Sequence, residues 1–113
     1  MNSARTSLNQ TLTTFELYAL LALTDKVLHA YAIRAQMAED SQSRVIVPMG
    51  TFYPLLERLV KLGLLGEVPA DGTRGIQRRY RLTERGREQL KAEARRLDEV
   101  RYQIRDKLAS RLV

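Results

Sequence analysis

Four arginines fall within eight residues, at Arg74, Arg78, Arg79 and Arg81, and no acidic residue lies among them. A local excess of this kind attracts polyanions, and a guanidinium matches the shape of a phosphate. The first of the four sits in Asp71-Gly72-Thr73-Arg74-Gly75. Asp-Gly and the second glycine supply tight-turn geometry, which puts Arg74, Arg78 and Arg79 on or beside a hairpin tip. Such a tip fits a DNA minor groove, with Thr73 and Gln77 adding neutral phosphate contacts. The charge is distributed to match. Through Thr73 the chain has 6 basic and 7 acidic residues, a net −1; from Arg74 onward it has 13 and 6, a net +7. Most of the charge after Glu84 suits a solvated helix surface, whereas the Arg74–Arg81 cluster points to nucleic acid.

A second group of candidates opens a helix. Met49, Gly50, Thr51 and Tyr53 are short or polar residues suited to a helix end that meets base edges and phosphates. Gly50 permits close approach, and free N–H groups at a helix start attract phosphate. Thr51 either contacts DNA or caps the helix. Tyr53 faces DNA or packs inside, and Phe52 and Leu56 already fill the inward face. Arg58 lies off the Phe52–Leu59 stripe, so it either reaches a phosphate or pairs with an acidic neighbour.

Other chemistry finds little material. The chain has no cysteine and one histidine, His29. This excludes thiolate catalysis, a disulfide framework and a metal-spaced histidine pair, and there is no Gly-rich phosphate loop. The carboxylates are spread at charge-pairing intervals on helices. We therefore expect no enzyme activity, no cofactor and no metal. His29 reads as a packed or capping residue, and Tyr31 as either a phosphate contact or core.

Seven elements are needed to position these groups. Thr13-x-x-Glu16 is a capping-box pattern for a first helix, with Phe15, Ala19, Leu20 and Leu23 at helical spacing. Asp25 to Leu28 reads as a connection, and a second helix covers about Ala30 to Glu39, with Ala30, Ile33 and Met37 on one face. Val45-Ile46-Val47 is β-branched and predicts a short strand. A third helix follows from about Gly50 to Leu62, with Gly63 as its left-handed cap and Pro54 near its first turn. Leu64 to Pro69 and Gln77 to Leu82 read as two strands, with Tyr80 and Leu82 on one face and Arg79 and Arg81 on the other. Thr83 caps a long helix to about Leu112, whose apolar residues Leu90, Leu97, Val100, Ile104 and Leu108 recur three, four or seven apart. That stripe exceeds what a small domain can cover, so it predicts packing on a second copy of the chain.

Three helices followed by a basic hairpin is the winged helix-turn-helix order. At 113 residues, 44% of them hydrophobic, the chain suits one compact domain. It divides into a flexible segment 1–12, a DNA-binding domain 13–82 and a dimerisation helix 83–113. The longest apolar run, Leu17 to Leu23, is too short to span a bilayer, and the polar start lacks a signal-peptide core, so a cytoplasmic location is expected.

The motifs also carry a resemblance. Val47-Pro48-Met49-Gly50-Thr51-Phe52-Tyr53-Pro54-Leu55-Leu56-Glu57-Arg58-Leu59 is similar to the recognition-helix motif of the PadR family, with its Gly-Thr-Leu-Tyr-Pro core. Leu28-His29-Ala30-Tyr31-Ala32-Ile33 resembles that family's Leu-His-Gly-Tyr-x-Ile segment, with Ala30 in place of the usual glycine. Leu62-Gly63-Leu64-Leu65 is similar to the turn after the recognition helix. Arg79-Tyr80-Arg81-Leu82-Thr83-Glu84-Arg85-Gly86 resembles the second wing strand and the start of the last helix, with Arg79 where a tyrosine is common. The likeness runs from roughly Thr13 to Leu108. It implies a bacterial, dimeric transcriptional repressor on a pseudo-palindromic double-stranded operator, released in some members by a small-molecule effector. Under that reading Phe15, Leu97, Val100, Ile104 and Leu108 are the dimerisation candidates, and Tyr18 and Tyr102 are candidate effector contacts. The alternative is a winged-helix module that docks an acidic protein partner and binds no specific DNA.

Overall fold

Thr13 and Glu16 close the capping box that their spacing predicts. The Thr13 hydroxyl accepts from the Glu16 N–H at 3.1 Å, and the Glu16 carboxylate accepts from the Thr13 N–H at 2.9 Å. This opens helix α1 (Thr14–Ala22) in the computed structural model, which describes residues 11–69 and 78–111. After a turn with Asp25 at φ 60°, strand β1 (Val27–His29) leads directly into helix α2 (Ala30–Asp40). Helix α3 (Met49–Lys61), strands β2 (Leu65–Val68) and β3 (Arg79–Leu82), and the long helix α4 (Glu84–Arg111) complete the chain. The winged helix-turn-helix architecture is therefore as expected, with one strand relocated.

The relocated strand is the one expected at Val45-Ile46-Val47. That segment is not a strand. Val45 and Val47 are buried and Ile46 is exposed, which imitates strand alternation, but the Val47 carbonyl accepts from the Arg34 guanidinium at 2.6 Å instead of from a sheet neighbour. The third strand is β1, which begins inside the stretch expected to be a connection and ends at His29, one residue past it. It pairs antiparallel with β3, placing Val27, Leu28 and His29 opposite Arg81, Tyr80 and Arg79. On its other side β3 pairs with β2, so the order is β1-β3-β2. Alternation along β3 is as expected: Tyr80 is buried and Arg81 exposed.

The core lies between the three shorter helices and this sheet. Leu20 and Leu23 from α1 and the turn after it, Ile33 and Met37 from α2, and Phe52, Leu56 and Leu59 from α3 are almost fully buried. Each set recurs at the helical period, and burying side chains of this size contributes roughly 1.5–3 kcal/mol apiece. Just before α1 the Leu12 N–H donates to the buried Glu93 carboxylate of α4 at 2.9 Å.

Helix α3 starts one residue early, at Met49, and Pro54 is its sixth residue. The N–H that proline lacks would have met the Gly50 carbonyl. Both residues are exposed, so the loss is made up by solvent and the helix continues. The helix ends in a Schellman motif: Leu64 N–H donates to the Leu59 carbonyl and Gly63 N–H to that of Val60. Gly63 takes φ 78°, the left-handed conformation its position predicts.

The next cap locks onto this one. The Thr83 hydroxyl donates to the Gly63 carbonyl at 2.6 Å and accepts from the Gly86 N–H at 2.9 Å, so α4 starts against the end of α3. Gly86 is pressed against the chain there. A Cβ would collide with the Leu64 carbonyl oxygen and come within 2.7 Å of Leu82 Cδ1. Gly86→Ala should therefore cost about 2 kcal/mol, as an overpacked contact does; an unchanged thermal melting midpoint would contradict this docking.

Candidate nucleic-acid interface

Because Phe52, Leu55, Leu56 and Leu59 are turned inward, the opposite side of α3 faces solvent. Met49, Gly50, Thr51 and Tyr53 all lie on it. Tyr53 is 51% exposed, with its ring edge against Phe52 at a centroid distance of 5.7 Å. A Cβ at Gly50 would meet nothing within 4 Å, so the protein's own packing does not call for glycine there. The bare backbone is open to an outside partner. The Arg34–Val47 hydrogen bond ties α2 to the segment that leads into α3, which fixes how α3 presents this face.

Arg79 opens β3 and Arg78 immediately precedes it, and the sheet brings them to the same region. Arg79 stands opposite His29 in the ladder, next to the first turn of α2. Arg78 lies on the same side of the strand as Tyr80, and both wall a cleft with Tyr53 of α3. Its guanidinium is 3.5 Å from Glu67 with both side chains largely exposed, a pairing worth about 0–1 kcal/mol that a phosphate readily replaces. Burial pushes the Tyr80 phenol upward, with Glu67 adding to the shift and Arg78 opposing it. Tyr80 thus stays a neutral hydrogen-bonding group. Arg81 is used differently, because its guanidinium lies across Gly66, its partner in the ladder. Thr73, Arg74 and Gln77 lie outside the described residues.

Arg58 took the ion-pair alternative. Its Nε donates to Glu16 at 2.9 Å; Arg58 is 61% exposed and Glu16 only 7%. Glu16 thereby serves the α1 cap through one oxygen and α3 through the other. The pattern identified Glu16 as a cap but gave no sign of this second partner.

The remaining candidates separate into two groups. Phe15 and Tyr18 on α1 are partly buried against the core. On α4, Leu97, Val100, Ile104 and Leu108 are between 38% and 58% exposed, and residues 94–110 are exposed on every side. Tyr102 is exposed in the same stretch and borders a shallow recess with Arg105 and Asp106. Among the described residues no cluster of metal-ligating side chains occurs, and no helix is long and apolar enough to cross a membrane.

The chain is similar in sequence and fold to known transcriptional regulators. The sequence model of the transcriptional regulator PadR-like family matches residues 19–92. A PadR-like transcription factor from Bacteroides fragilis superposes with a TM-score of 0.68 at 29% identity, over 81% of this chain and 87% of that one. A PadR family regulator from Clostridium difficile gives 0.69 at 20% identity, over 85% and 99%. Bacillus subtilis PadR, solved in complex with operator DNA, gives 0.59 at 23% identity, over 69% of this chain and 45% of that one. No curated protein matches the chain's sequence.

The Arg58–Glu16 contact generates a test of its own. Arg58→Ala leaves a buried carboxylate short of a partner, and should cost about 1–2 kcal/mol, less than for a fully buried pair because the arginine is largely exposed. The slope of log affinity for duplex DNA against log salt should not change. An unaltered melting midpoint together with a shallower slope would return Arg58 to the phosphate contacts.

Proposed function

The chain belongs to the PadR-like family of transcriptional regulators and is a DNA-binding regulator; we propose that it acts as a homodimeric repressor on a pseudo-palindromic operator. The observation that carries this reading is the meeting of α3's exposed face with the base of the arginine-bearing hairpin. Met49, Gly50, Thr51 and Tyr53 enter the major groove, where helix ends read base edges. Arg78 and Arg79 hold the flanking backbone, with Thr73, Arg74 and Gln77, read from the sequence, as further contacts. The operator DNA bound to Bacillus subtilis PadR supports this assignment by likeness of fold.

Dimerisation is supported by the bare apolar stripe of α4. A monomer gains nothing by exposing Leu97, Val100, Ile104 and Leu108 along one helix face, whereas a second copy buries them. Pairing through α4 duplicates the recognition helices, which then meet half-sites roughly 34 Å apart. Tyr18 and Tyr102 remain the candidate contacts for a small effector whose binding changes how the paired helices lie. The regulator works in the cytoplasm.

Two measurements check these statements. Titration of a duplex from its own promoter and of a scrambled duplex, at two salt concentrations, should show tighter binding to the first. Each phosphate contact should add about −0.9 to the slope of log affinity against log salt. Equal affinity for both duplexes would refute sequence-specific regulation. The paired substitution Ile104→Glu with Leu108→Glu should yield a monomer in sedimentation and weak DNA binding, and a variant that still sediments as a dimer would remove α4 from the interface.

A further inference from the structure

Tyr31, the one aromatic residue of α2, is 72% accessible although it lies in the helix's first turn beside the sheet. An exposed tyrosine alone means little. Its surroundings are more specific. Tyr31, His29 and the buried Tyr80 wall one cleft of about 340 Å³ together with Tyr53, Glu57 and Arg78. Five of them come from β1, α2, α3 and β3 and Arg78 immediately precedes β3, and the β1–β3 pairing sets His29 and Tyr31 beside this part of the sheet.

The cleft is rich in hydrogen-bonding groups, and its described lining sets one cation against one carboxylate. Three phenols and an imidazole line it. Among the described lining residues the one cation, Arg78, shares the cleft with Glu57 and lies 3.5 Å from Glu67. A free phosphate has little electrostatic reason to settle there. A phosphodiester already drawn to the surface by the flanking arginines is a different matter, because neutral O–H and N–H donors then suffice to hold it. The cleft opens beside the exposed side of α3, so a strand whose bases meet that helix passes over it.

We propose that this cleft grips the DNA sugar–phosphate backbone next to the recognition helix, with the Tyr31 hydroxyl as its principal donor and His29 beside it. The proposal rests on the DNA-binding reading above and adds Tyr31 and His29 to the contacts. It has a signature that the arginines lack. A neutral donor releases no counterion, so its loss lowers affinity without changing the salt slope, whereas loss of an arginine–phosphate contact changes both.

Tyr31→Phe and Arg78→Ala are each titrated, as full-length protein, with promoter and scrambled duplexes over a salt series. Removing one hydrogen bond to a charged oxygen should weaken Tyr31→Phe roughly tenfold on both duplexes, with an unchanged slope and melting midpoint. Arg78→Ala should make the slope shallower by about 0.9. Inorganic phosphate at constant ionic strength should not compete. If the parent protein binds but Tyr31→Phe binds equally well, the proposal is overturned and the DNA-binding reading stands. Weakening on the promoter duplex alone would make Tyr31 a base contact, and competition by phosphate would make the cleft a free-anion site; either outcome also overturns it. A parent protein that binds neither duplex would instead sink the reading beneath it.

Discussion

One hydroxyl holds the parts of this molecule in register. Thr83 donates to the carbonyl of Gly63, where the recognition helix has just ended, and accepts from the N–H of Gly86, where the long helix has just begun. Its own N–H bonds the Leu64 carbonyl. Thr83 also follows directly on β3, so the wing strand, the recognition helix and α4 meet within a few ångströms. Each partner is a helix-end group that would otherwise need water, which is why one side chain can close so much of the structure. The contact tolerates no bulk, and Gly86 supplies the space. A shift of α4 relative to the domain bears directly on this junction and so on the end of α3.

Buried polar groups reinforce the junction from the far side. Glu16 serves both the α1 cap and Arg58 of α3, and Glu93 of α4 accepts from Leu12 and from its neighbour Arg96 at 2.8 Å. Carboxylates are costly to bury unless their oxygens are bonded, and these are. The result is a polar seam joining α1, α3 and α4 around an apolar core. The seam stops near Glu93. Beyond it α4 continues with its apolar residues uncovered, so the same helix is a structural part of the domain in one half and a free surface in the other.

Local signals were the legible ones. The Thr13 and Thr83 caps, the left-handed Gly63 and the inward stripe of α3 each depend on residues within a turn of one another, and a sequence displays such pairs directly. The misses are long-range. β1 is three residues long, too short for a period to register, and it exists because β3, far along the chain, offers it an edge. Val45 and Val47 have the spacing of a strand because both plug the core, while Arg34 satisfies the backbone that a sheet would have claimed. Arg58 meets Glu16 across 42 residues. Of the residues proposed to meet DNA, Tyr53, Arg78 and Arg79 were visible by type and Tyr31 stood open between phosphate contact and core, while His29 joins them only once β1 lies beside β3.

The central claim is that the exposed side of α3 and the base of the hairpin act as one DNA-binding surface. Amide chemical-shift mapping during titration with a promoter duplex tests it most directly, because it reports every element at once. Perturbations should concentrate at Met49–Tyr53, His29–Tyr31 and Arg78–Tyr80, leaving the free half of α4 almost untouched. Perturbations confined to α4, with α3 and the hairpin base unmoved, would contradict it.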